Sequence, residues 1–115
     1  MFAMLMGLAG IAPRDLHERM GQGDLTVIDM NARQSWLQAR VPGARNLAPD
    51  ADAALLPADR AMTLVFYCSN PLCRKAPNAA RRAEQLGYTD VRVMSAGIKG
   101  WLGAGLPVEH GPSPC

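Results

Sequence analysis

Helical and strand periods alternate along the chain. Leu16 and Met20 share one face at i, i+4 after Pro13, and Gly21 and Gly23 follow. Proline suits the first helical position and glycine ends helices, so this stretch predicts a helix opened at Pro13. Leu25 to Ile28 is a short apolar run with β-branched members, the pattern of a buried strand. Arg33 to Gln38 reads as a short helix around Trp36, and Pro42-Gly43 marks a turn ahead of Ala44 to Leu47. Ala51 to Ala58 predicts a short helix or turn between acidic and proline punctuation. Thr63 to Tyr67 (TLVFY) is a continuous apolar run, as expected in the middle of a parallel sheet. Ala76, Ala79, Ala80, Ala83 and Leu86 then recur at helical spacing, a small-residue face suited to close packing on a sheet, and Gly87 caps it. Val91 to Met94 predicts another strand, and Ile98 to Leu102 a short helix closed by Gly103 and Gly105.

Strands alternating with helices over short connections predict an α/β fold built on a mostly parallel sheet. In such sheets ligands bind at the C-terminal ends of the strands, beside helix N-termini. At 115 residues the chain fits one domain. We expect that domain over residues 11–109, after an apolar N-terminal segment at 1–10 and before an irregular, exposed tail at 110–115. The N-terminal segment carries Phe2, Met4, Leu5, Met6 and Leu8 with no charge before Arg14. It is too short to span a bilayer and lacks the positive start of a signal peptide, so it reads as a packed segment.

A net charge of +2 gives no argument for nucleic acid or an anionic membrane as partner. The three cysteines, Cys68, Cys73 and Cys115, are odd in number and form no CxxC pair. That is no disulfide framework and too few thiols for a four-cysteine zinc site. His17 and His110 have no partner at ligand spacing, so no metal is expected. A reactive thiol in a reducing compartment, the cytoplasm, fits better.

Cys68 directly follows the TLVFY strand, and Ser69-Asn70-Pro71-Leu72-Cys73-Arg74-Lys75 leads into the alanine-faced helix. Loop N–H groups and the positive end of the helix would both point at the sulfur and favour its thiolate. Arg74 and Lys75 would attract an anionic substrate. The pattern suits nucleophilic attack on sulfur, phosphorus or arsenic centres. The alternative is a buried cysteine that only packs.

Several motifs, in order, resemble the rhodanese family. Val27-Ile28-Asp29 followed by Val41-Pro42-Gly43-Ala44-Arg45-Asn46 is similar to its N-terminal motif, and Phe66-Tyr67-Cys68 to its strand and active-site cysteine. Gly87-Tyr88, Val91 to Val93, Ala96-Gly97-Ile98-Lys99-Gly100-Trp101 and Gly105-Leu106-Pro107-Val108 resemble its C-terminal signature. The resemblance covers about Ile11 to Val108. It implies a five-stranded parallel sheet flanked by helices on both faces. It also implies a sulfurtransferase that carries sulfane sulfur as a persulfide on Cys68. The donor would be a small anion, thiosulfate or a persulfide, the acceptor cyanide or a thiol, and no metal or organic cofactor would be needed. Three positions depart from the pattern: Asn31 stands where the family usually has arginine, Ala39-Arg40-Val41 replaces Gly-His-Ile, and Ala96 replaces a glycine.

On this reading Ser69 to Lys75 bind substrate. Cys73 is either a resolving thiol that forms an internal disulfide with Cys68, or a small residue filling the helix entrance. Cys68 to Arg74 also has C-x5-R spacing, that of cysteine phosphatases and some arsenate reductases, so loop length decides between a sulfur and an oxyanion site. If Cys73 closes the loop it is of sulfurtransferase length; if Arg74 does, it is of oxyanion length. A non-catalytic sulfur carrier or binding module is the third reading. Asp29 is expected to hydrogen-bond the loop backbone or to form a strand-end turn. Arg33 and Arg40 are weighed as aids to substrate attraction against simple solvation, as is Lys99. Trp36 and Trp101 are expected to pack, Cys115 to be exposed, and Met1, Met4 and Met6 to pack rather than bind metal.

Overall fold

The computed structural model describes residues 8–112. Most of the N-terminal segment, with Met1, Met4 and Met6, and the end of the tail, with Cys115, lie outside the described residues. The elements are β1 (Ala9–Gly10), α1 (Pro13–Met20), β2 (Leu25–Asp29), α2 (Arg33–Gln38), β3 (Arg45–Asn46), a 3-10 turn (Ala53–Leu55), β4 (Thr63–Tyr67), α3 (Lys75–Gln85), β5 (Val91–Val93) and α4 (Gly97–Gly103). All five strands run parallel in the order β1-β5-β4-β2-β3, the α/β architecture expected. The longest strands, β4 and β2, lie at the centre, and all five residues of β4 are buried. β1 had no strand signal. It is two exposed residues pairing with Arg92 and Val93, and it draws Ala9 and Gly10 into the sheet ahead of the boundary expected at residue 11.

Side chains alternate across a strand, so the sheet divides the core into two layers. Ile28, Leu64, Phe66 and Val93 face α3, whose Ala76, Ala80 and Ala83 let the helix approach closely. Val27, Val65 and Tyr67 face the other way, with Leu16 of α1 and Trp101 of α4. Burying side chains of this size contributes roughly 1.5–3 kcal/mol each, which is what holds the thin strands together.

A stack of side chains closes the sheet's β3 side. Arg40 is buried with its guanidinium 3.9 Å from the Trp36 ring centroid, and it donates to the carbonyls of Trp36 and Gly111. It also pairs with Glu109, whose carboxylate accepts from Gly43 N–H. Arg40 is therefore a structural cation, not an exposed one available to substrate. Trp36 and Trp101 both pack, with indole N–H groups donating to the Ala44 and Pro107 carbonyls.

Candidate active site

Cys68 lies one residue beyond β4, on the α3 side of the sheet, and is almost fully buried. The chain then turns back. Cys73 N–H donates to the Asn70 carbonyl at 3.2 Å, and Leu72 N–H donates to Asn70 Oδ1 at 2.9 Å. This is a β-turn with asparagine first and proline second, positions each residue favours: Asn70 bonds its own backbone and Pro71 fixes φ. The turn returns Cys73 to Cys68. Their Cα atoms are 6.4 Å apart and their sulfurs form a disulfide. Cys73 is half-buried and packs against the cluster that holds Cys68.

Arg74 is the N-cap residue of α3 and Lys75 its first residue, both exposed. The first N–H groups of a helix have no intrahelical partner and carry its positive end. Pro77 has no N–H, and Ala76 of this first turn packs in the same buried cluster as Cys68. The cradle expected from the loop N–H groups is narrower than supposed, because Leu72 and Cys73 spend theirs on Asn70.

Two sets of contacts fix the start of the loop. On one side α4 leans on it: Ile98 N–H donates to the Cys68 carbonyl at 2.9 Å and Lys99 N–H to the Ser69 carbonyl at 3.1 Å. This approach requires glycine at 97. Its φ is +67°, and a Cβ there would stand 2.5 Å from the Ser69 carbonyl carbon and oxygen. Ala96 has ordinary right-handed helical angles, φ −59° and ψ −25°, so alanine is accommodated where the family carries glycine.

On the other side stands a buried polar chain. The parallel register pairs Asp29 with Tyr67. The Tyr67 hydroxyl donates to Asp29 Oδ2 at 2.6 Å and accepts from Val41 N–H at 3.1 Å. Asp29 Oδ1 accepts from Asn31 N–H at 2.7 Å, and Ser69 Oγ donates to Asn31 Oδ1 at 2.7 Å. Asn46 Nδ2 donates to the Asp29 and Asn31 carbonyls. Burial raises the Asp29 carboxyl above the usual range, although Tyr67, Asn31 and Arg40 each pull it down. Burial and then the Asp29 charge hold the Tyr67 phenol well above its ordinary value.

Asp29 thus supports the loop through Asn31 and does not bond the loop backbone itself. Arg33 is exposed, with its guanidinium 5.6 Å from the Trp36 ring centroid. Sequence reasoning missed Asn31 and Tyr67 as parts of the site and gave Gly97 only as a motif residue. The one available signal was that Asn31 stands in the position of a family arginine. Lys99 is exposed and touches the loop through its backbone.

The class defined is an α/β domain on a five-stranded parallel sheet, with a buried cysteine at the end of its central strand on the side that α3 covers. The family model for the rhodanese-like domain matches residues 12–104, and the chain belongs to that family. An HTH-type transcriptional regulator of Mycobacterium tuberculosis is 35% identical over 104 residues, which cover 88% of this chain and 45% of the regulator. The chain thus spans about half the length of that curated relative. A thiosulfate sulfurtransferase from Pseudomonas aeruginosa superposes with a TM-score of 0.77 at 27% identity, over 91% of this chain and 20% of that one. A Rhodopseudomonas palustris protein described as a possible tyrosine phosphatase shares the fold, with a TM-score of 0.72 at 21% identity over 90% of this chain and 86% of its own. Among the described residues no helix is long and apolar enough to cross a membrane.

Proposed function

We propose that the domain is a sulfurtransferase that moves sulfane sulfur from a small anionic donor to a thiophilic acceptor through a Cys68 persulfide. With the disulfide reduced, the Cys68 thiolate attacks the outer sulfur of thiosulfate. A new S–S bond forms, the donor's S–S bond breaks, and sulfite leaves with the bonding pair. The persulfide then yields its outer sulfur to cyanide or a thiol, regenerating the thiolate. The observation that carries this reading is Cys68 at the end of β4, facing the positive start of α3. Arg74 and Lys75 stand exposed at that helix start, where they would draw the donor anion. Such a thiolate works in a reducing compartment, and on this reading the cytoplasm is the expected location.

The Asn70 turn favours this reading over phosphate or arsenate chemistry. A tetrahedral oxyanion needs a ring of N–H donors, and Leu72 and Cys73 already donate to Asn70. The turn also makes Cys73 the natural end of the loop and Arg74 the helix cap. The likeness to a transcriptional regulator favours one variant of the proposal, a domain that holds sulfur as a signal without turning over.

The test is thiosulfate:cyanide turnover and intact mass of reduced protein carrying Cys73→Ser, which leaves no second thiol beside the loaded sulfur. A persulfide adds about 32 Da, cyanide removes it, and Cys68→Ser abolishes both while keeping the fold. Loading without turnover would mark the carrier. No adduct, together with hydrolysis of a phosphoester or reduction of arsenate, would replace this reading by the oxyanion one.

A further inference from the structure

Three observations converge on Cys73. Its Cα lies 6.4 Å from that of Cys68, within the span a disulfide needs. The Asn70 turn holds it there by two hydrogen bonds and a proline, so the approach is built into the loop. Cys68 is almost fully buried, which limits access from solution, while Cys73 already packs against the same buried cluster. An acceptor from solution competes with a thiol already in place, whose effective concentration is on the order of millimolar or more.

We propose that Cys73 is the internal acceptor of the persulfide, so that the domain releases sulfane sulfur as sulfide. This rests on the Cys68 persulfide proposed above. The Cys73 thiolate attacks Sγ of Cys68, the inner sulfur. The Cys68–Cys73 S–S bond forms, the persulfide S–S bond breaks, and hydrosulfide leaves with the bonding pair. The sulfane sulfur is reduced to sulfide, and the two cysteines supply the electrons by becoming a disulfide. No outside oxidant is needed. The Cys68–Cys73 bond seen in the structure is the product of that step. The domain therefore belongs between a reaction that generates a sulfane-sulfur anion and one that consumes sulfide. A dithiol reductant acting by thiol–disulfide exchange must restore it.

The test is a single turnover of the reduced 115-residue chain with Cys115→Ser, which removes the third thiol. Excess reductant is washed out, thiosulfate is added, and free sulfide, thiol count and intact mass are followed. The expected result is about one equivalent of sulfide per chain, loss of two thiols and a mass about 2 Da lower. Adding Cys73→Ser should leave a stable adduct of about 32 Da and no sulfide. Pro71→Gly loosens the turn while keeping both sulfurs, and it should slow release by roughly tenfold as pre-orientation is lost. A persistent adduct without sulfide in the Cys73-containing protein would overturn the inference and leave the persulfide reading standing. Neither adduct nor sulfide would overturn the persulfide reading, and this inference with it.

Discussion

Gly97→Ala tests the contact that seats the active loop on α4, and its cost can be worked from the structure. The backbone at 97 has φ +67°, where an L-residue costs roughly 1–2 kcal/mol. The new methyl would also stand 2.5 Å from the Ser69 carbonyl and 2.7 Å from Asn70 N, where ordinary contact begins at 3.4 Å. Those neighbours are backbone, so α4 and the loop must separate. Separation stretches the bonds from Ile98 N–H to the Cys68 carbonyl and from Lys99 N–H to the Ser69 carbonyl, each worth about 0.5–1.5 kcal/mol. The expected loss is therefore about 2–5 kcal/mol, a large share of a typical domain's stability. Equilibrium denaturant unfolding of the reduced protein measures it. Gly23→Ala is the control: φ there is +76° but nothing lies within 4 Å of the added methyl, so only the backbone cost of about 1–2 kcal/mol should appear. Equal losses in the two variants would refute the claim that α4 is pressed against the loop. Turnover should fall in Gly97→Ala alone, because only there is Cys68 displaced.

Tyr67→Phe removes a hydroxyl that donates to buried Asp29 and accepts from Val41 N–H. It should cost roughly 1–3 kcal/mol in the same unfolding assay, since buried polar groups are left short of partners. Asn31→Ala cuts the link to Ser69; we expect about a tenfold fall in kcat/KM carried by kcat, because a loosened loop mis-aims the thiolate more than it repels donor. A change confined to KM would instead make Asn31 a substrate-binding residue. The Asp90 carboxyl is held below its usual value. Partial burial, the largest influence, pushes it up but is outweighed by the Thr63 hydroxyl, Arg92 and Arg19. Its stabilisation is complete above the unfolded value near 4 and is lost as pH falls through the lower folded one. Asp90→Asn should therefore cost about 0.5–1 kcal/mol at neutral pH, and less on descending below pH ~4, as followed by urea unfolding across pH. A gap that stays constant with pH would place its role in packing instead.

The sequence alone determined the elements whose signals are local. Pro13 opened α1 where expected, the five apolar residues of Thr63–Tyr67 became the buried central strand, and the alanines at 3–4 spacing became the face of α3. The position of Cys68, between a buried strand and a helix, followed from those two elements, because a parallel sheet leaves its strand ends beside helix starts. The tertiary structure decided everything that depends on residues far apart in the chain. β1 is a strand only because β5 offers it a partner, and its two residues carry no pattern of their own. Arg40 looked like a solvated cation until Trp36, Glu109 and Gly111 closed around it. Asn31 and Ser69, 38 positions apart, meet because the β2–β4 register aligns Asp29 with Tyr67 and so brings the two strand ends level. Periodicity reports which face a side chain takes, since that is fixed within one helix or strand. Register, close approach and hydrogen bonding across the sheet arise only when strands pair, so a single stretch of chain does not contain them.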